Sequence, residues 1–140
     1  MVNGTTGGPV ERDVHNDRAE IEAVEQDLLG LAERAGYSKA SRFAIRLAFE
    51  EAITNAFQHG HRGLDESVPV RVGYEVGPEE VRIWVEDKGK GFRVEDVPDP
   101  TLDENLTNPS GRGLMLMRSY MTSVRYNPTG NRVEMVYRRR

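Results

Sequence analysis

The chain of 140 residues is long enough for one domain with a true hydrophobic core and short for two. With 37% hydrophobic and 30% charged residues it has a globular composition, and its net charge of −4 argues against a dedicated nucleic-acid binder, which needs a basic face. The lack of cysteine excludes disulfides, thiolate metal sites and cysteine nucleophiles, and no stretch reaches the roughly 20 apolar residues of a membrane span.

Residues 1–15 contain Gly4, Gly7, Gly8 and Pro9 and little to bury, so a flexible N-terminal tail is expected there, with one folded domain over residues 16–140. No basic start followed by an apolar run is visible, which makes the cytoplasm the expected location. Asp17 and Glu20 have capping-box spacing, and Ile21, Val24, Leu28, Leu31 and Ala35 follow at helical intervals up to Gly36, a suitable left-handed stop. Ser38 or Ser41 can cap a second helix running to about Gln58, with Gly60 after it. Val70, Val72, Tyr74 and Val76 then alternate with polar residues, as do Val81, Ile83 and Val85 after a turn at Gly77-Pro78, predicting a hairpin with one buried face.

From Lys88 to Ser110 periodicity is lost, and an irregular stretch of that length inside a domain is usually functional or disordered. A helix is predicted from Leu114 to Met121, then strands near Ser123–Tyr126 and Arg132–Tyr137 joined by a turn at Asn127-Pro128-Thr129-Gly130. The run Arg138-Arg139-Arg140 reads as a solvated end. Grouped helices and hairpins imply an α+β two-layer sandwich, a mostly antiparallel sheet covered on one face by helices.

Three segments can carry chemistry. On the second helix Ala44, Leu47, Ala48, Glu51 and Asn55 share one face, and its apolar members mark that face as the buried one. Glu51 and Asn55 then either sit at the stripe's edge and bond only to backbone, or serve as a carboxylate that polarises a nucleophile and an amide oxygen suited to Mg²⁺. Asp87-Lys88-Gly89-Lys90-Gly91 follows the second predicted strand, and is either a plain turn or a place where a ligand approaches the backbone closely. Ser110-Gly111-Arg112-Gly113 opens the Leu114 helix, as a glycine-rich entry to a packed helix or as a phosphate cradle with Arg112 as a charged donor. His59 and His61 lack acidic company in the sequence and do not read as a zinc site, and no P-loop motif is present.

Taken together, the order and spacing of these segments resemble the GHKL ATPase superfamily, which has the Bergerat fold. Glu51-Ala52-Ile53-Thr54-Asn55-Ala56 looks like its N box, Asp87 to Gly91 like its first glycine box and Gly111 to Gly113 like its second. Within the superfamily the chain is most similar to the bacterial anti-sigma factor serine kinases, through His59-Gly60 after the N box, and Gly111-Arg112-Gly113-Leu114 followed by Met121-Thr122-Ser123-Val124. The similarity runs from about Ile21 to Tyr137.

The resemblance implies ATP and Mg²⁺ as cofactors, with Asn55 ligating the metal that bridges the phosphates. It implies Glu51 as general base on a serine hydroxyl; Glu50 is turned about 100° away on the helix. Asp87 is implied to accept the adenine amino group, with Gly89 and Gly91 letting the loop pass the base. Gly111, Arg112, Gly113 and Leu114 are implied on the phosphate side, under a lid over residues 93–110. The family's last hairpin carries Gly-Thr; here Gly130 is preceded by Thr129 and followed by Asn131, so Thr129 is the displaced hydroxyl candidate. The implied partners are a sigma factor and a serine-containing anti-sigma factor antagonist, with a homodimer, no nucleic acid and no membrane. The competing expectation is a non-catalytic, nucleotide-dependent binding module that sequesters a regulatory protein.

Overall fold

A computed structural model describes residues 8–61, 63–65, 67–89 and 118–139. The elements in chain order are β1 (Val10–Val14), α1 (Arg18–Arg34), α2 (Lys39–Asn55), a π-helical turn (Ala56–Gly60), β2 (Val70–Val76), β3 (Glu80–Glu86), β4 (Ser123–Tyr126) and β5 (Arg132–Arg138). Of the predicted helix at 114–121, residues 118–120 are helical and 114–117 lie outside the described residues.

Local chemistry sets both helix boundaries. The Asp17 carboxylate accepts the Glu20 N–H at 3.1 Å, while Glu20 reaches past the cap to the His15 N–H at 2.9 Å. At the far end Gly36 adopts φ 89°. Its N–H bonds the Glu33 carbonyl and the Tyr37 N–H bonds the Ala32 carbonyl, each at 3.0 Å, which closes a Schellman motif. For α2 the cap is Ser38, whose hydroxyl accepts the Ser41 N–H at 3.1 Å. Ser41 instead lies buried, its hydroxyl 2.7 Å from that of Tyr137 on β5.

The five strands form one sheet in the order β1-β2-β3-β5-β4, every neighbouring pair antiparallel. The period-2 pattern puts Val72, Tyr74, Ile83, Val85 and Met135 on one face, buried in a single cluster with Val24 and Leu28 of α1 and Ile45, Phe49 and Ile53 of α2. Full burial of such side chains stabilises by roughly 1.5–3 kcal/mol each. The architecture is thus an α+β sandwich, with both helices on one face of an antiparallel sheet.

The opposite face is polar and laced with cross-strand ion pairs, among them Arg82–Glu134 at 2.8 Å and Arg71–Glu11 at 3.3 Å. Trp84 lies on this face yet is only 8% exposed, because its ring covers Gly73, its cross-strand neighbour. Its indole N–H donates to Glu11 at 2.7 Å, and the Arg132 guanidinium lies 5.6 Å from the ring centroid.

Two expectations are corrected. Residues 10–14, which composition places in a tail, form β1, an edge strand in register with β2. The expected alternation is hidden because the helix-side positions read Val10, Arg12, Val14, and Arg12 is satisfied there by Tyr74 at 2.8 Å and Asp27 at 3.4 Å. The buried arc of α2 is also rotated from the expected one. It consists of Ser41, Ala44, Ile45, Ala48, Phe49, Ala52 and Ile53, leaving Leu47, Glu51 and Asn55 half-buried along its edge.

At the outer seam between α1 and α2 lie two carboxylates. Glu25 is buried and pushed up to about 8 by that burial and by Glu50 beside it. Glu50 is held below the usual range by its contact with Glu25 and by Arg18 at 3.0 Å. One carboxyl therefore keeps the proton and the other the charge.

Candidate functional site

The end of α2 and the end of β3 meet at one end of the sandwich. Instead of continuing to Gln58 as an α-helix, the chain widens after Asn55 into the π-helical turn, closed by the His61 N–H on the Ala56 carbonyl at 2.9 Å. Such turns are uncommon and frequently mark functional sites. The turn places Gly60 directly against the segment that follows β3. A Cβ on Gly60 would come within 2.3 Å of the Asp87 carboxylate, and one on Gly89 within 1.8 Å of the Gly60 carbonyl oxygen. Both positions therefore require glycine for close backbone approach, rather than for an unusual φ.

Asp87 is held from several directions. Its Oδ1 accepts the Gly89 N–H at 2.7 Å, forming a local turn. Its own N–H donates to the Asn131 carbonyl at 2.8 Å, and the Asn131 side-chain amide donates to its carbonyl at 3.3 Å. Burial raises the carboxyl above its usual range, opposed by the Gly89 N–H and by His61. Among the described residues Oδ2 accepts no hydrogen bond, and it is the carboxylate oxygen that faces Gly60.

Glu51 and Asn55 lie one turn apart on α2, half-buried on the side of the helix next to the core stripe. Among the described residues neither side chain makes a hydrogen bond or ion pair, unlike Glu50. An amide oxygen, a carboxylate and a cradled aspartate are a suitable donor set for a nucleotide with its divalent cation. Thr129 is exposed on the β4–β5 turn, where Asn127 Oδ1 accepts the N–H groups of Gly130, Asn131 and Arg132 at 2.8, 3.1 and 3.2 Å. The residue this turn delivers to Asp87 is Asn131. Gly91, Gly111, Arg112, Gly113 and Leu114, with the lid at 93–110, lie outside the described residues.

Two residues join the site that motif reasoning did not place in it, Asn131 and His61. His61 is buried, with Nε2 accepting the Lys88 N–H at 2.8 Å. Acidic company, missing in the sequence, is supplied by Asp87 through the fold. No local signal marks a contact across 27 residues.

Comparisons with known proteins agree with this architecture. The profile of the histidine kinase-like ATPase domain matches residues 14–137. The serine-protein kinase RsbW of Oceanobacillus iheyensis is 30% identical over 106 residues, covering 71% of this chain and 66% of the relative. The RsbW of Bacillus licheniformis is 33% identical over 106 residues, covering 70% of this chain and 64% of the relative. The chain thus spans slightly less than two thirds of the length of these relatives. A crystal structure of the RsbU and RsbW domains of a Mycobacterium tuberculosis protein superposes with a TM-score of 0.62 at 16% identity, covering 96% of this chain and 32% of that one. That structural likeness carries the fold. With the profile spanning nearly the whole described region and the Asp87 cradle beside the Asn55 helix, the chain belongs to the histidine kinase-like ATPase domain family.

Proposed function

We propose that the chain is an ATP-dependent protein serine kinase and anti-sigma factor that works by partner switching. The observation that carries this is the meeting of α2 and β3. The Gly60–Asp87–Gly89 contact brings the cradled aspartate to the same end of the sandwich as Glu51 and Asn55, whose side chains bond to no described residue. Similarity to proteins named serine-protein kinase RsbW supports the choice of a serine acceptor.

In this reading Asp87 Oδ2 accepts the adenine amino group, and Gly89 lets the loop backbone lie against the base. Asn55 would hold Mg²⁺ through its amide oxygen, and the ion would supply charge neutralisation when bound. Glu51 takes the proton from the serine hydroxyl as that oxygen bonds to the γ-phosphorus and the bond to the β-phosphate oxygen breaks, releasing ADP. The glycine-rich segment Gly111–Gly113, Arg112 and Leu114 would serve the phosphate side, and Thr129 remains the hydroxyl candidate near the base. The partners proposed are a sigma factor and its serine-bearing antagonist, in the cytoplasm, with the chain acting as a homodimer. Among the described residues no helix is long and apolar enough to cross a membrane.

Transfer of label from ATP to a serine-bearing antagonist is the direct test. Glu51→Ala should reduce transfer at least about a hundredfold while ADP affinity is kept. Transfer at the wild-type rate in that variant would remove Glu51 from the role of base. Nucleotide binding without transfer by the wild-type chain would favour the sequestering module instead.

A further inference from the structure

We propose that His61 is a positioning residue for the nucleotide site, holding the Asp87–Gly89 segment on the π-helical turn and making nucleotide affinity dependent on its own protonation. The proposal rests on the nucleotide-binding reading above.

The geometry is specific. His61 is 7% exposed and closes the turn, its N–H on the Ala56 carbonyl and its carbonyl accepting the Leu64 N–H, each at 2.9 Å. Phe57 packs edge-on against the imidazole, centroids 5.6 Å apart, and restricts the ring on that side. In this pose Nε2 accepts the Lys88 N–H at 2.8 Å, and the Val68 backbone nearby favours a proton on the ring. Among the described residues this is the one side-chain hydrogen bond from the turn to the segment that carries Asp87. The neighbouring contacts are tight: Gly60 and Gly89 touch without room for a Cβ, so a small displacement of Lys88 moves Asp87 as well.

An acceptor at Nε2 requires the neutral imidazole with its proton on Nδ1, a tautomer assigned here from the hydrogen-bond network. Protonation would set an Nε2–H against the Lys88 N–H, donor against donor, and release the segment. The charged groups facing the ring are Asp87, which favours the proton, and Lys88, which opposes it; burial opposes it most and keeps the ring neutral near pH 7. As pH falls below the ordinary histidine value of about 6.5, the wild-type site should therefore loosen. Burial raises Asp87 above its ordinary value as well, so His61→Gln, which removes only the histidine proton, separates the two groups.

The test is ADP affinity by calorimetry between pH 5.5 and 8 on the full chain, for wild type, His61→Gln, His61→Phe and Asp87→Asn, with urea unfolding alongside. Glutamine can present an amide oxygen near the Nε2 position without titrating in this range. The expected result is wild-type-like affinity for His61→Gln at pH 7.5 with the acid-side weakening abolished. His61→Phe should bind roughly tenfold more weakly at pH 7.5, the loss expected for one hydrogen bond. If His61→Phe fails to fold, the flattened pH profile of His61→Gln still decides. A His61→Gln profile that weakens toward acid as wild type does would overturn the proposal. Wild-type affinity in Asp87→Asn, or no ADP binding by the wild-type chain, would instead overturn the nucleotide-site reading.

Discussion

Gly89→Ala perturbs the junction between α2 and β3 by a single methyl group. The added Cβ would lie 1.8 Å from the Gly60 carbonyl oxygen, and 3.0 Å from Asp87 Oδ1. Ordinary carbon–oxygen contacts are about 3.3 Å or longer, so backbone must part by on the order of 1.5 Å. The nearest atom is main chain and cannot rotate aside as a flexible side chain would. Two short hydrogen bonds share the strain, Gly89 N–H to Asp87 at 2.7 Å and Lys88 N–H to His61 at 2.8 Å. Overpacking of this kind costs about 1–3 kcal/mol, and displacing Asp87 should weaken ADP binding at least roughly tenfold. Urea unfolding followed by calorimetric titration with ADP measures both effects. The control is Gly63→Ala, whose Cβ meets nothing within 4 Å but whose φ of 85° disfavours a side chain. It should lose about 1 kcal/mol of stability with no change in affinity. A Gly89→Ala chain with wild-type stability and wild-type affinity would refute the close-approach argument.

Glu25→Gln should alter how stability depends on pH. A glutamate whose native value is raised to about 8 binds a proton that the unfolded chain releases above 4.5, so wild-type stability should fall as pH rises through that window. The glutamine variant should show a flatter profile and exceed wild type at pH 8; parallel urea midpoints from pH 5 to 8 would contradict the shared-proton picture. Gly73→Ala would place a Cβ 2.0 Å from the Trp84 ring, lifting the indole off the sheet. Since Trp84 is the single tryptophan, its emission should shift to the red, with a stability loss of about 1–3 kcal/mol; unchanged emission would argue against the ring lying over Gly73.

Short-range chemistry explains what could be read before the fold was known. Asp17 and Ser38 cap the helices next to them, Gly36 takes the left-handed stop, and strands β2, β3, β4 and β5 follow their turn residues and period-2 alternation. Each depends on neighbours a few residues away. The motifs around Asn55 and Asp87 were likewise legible as local patterns, because each consists of particular residue types at short, fixed spacing.

The remainder depended on partners far along the chain. β1 was hidden because Arg12 occupies a helix-side position, where its exposed guanidinium reaches Tyr74 and Asp27. On α2 two overlapping arcs are apolar enough to be buried, and the sheet's choice of Ile45, Phe49 and Ile53 turned Glu51 and Asn55 to the edge. Asn131 and His61 gain meaning only when the fold brings the β4–β5 turn and the π-helical turn against Asp87. The sequence by itself determined helices α1 and α2 with their caps, strands β2 to β5 and the residue types of the motifs around Asn55 and Asp87. The tertiary structure decided which face of α2 is buried and which groups hold Asp87, since both follow from packing between segments that no local pattern couples.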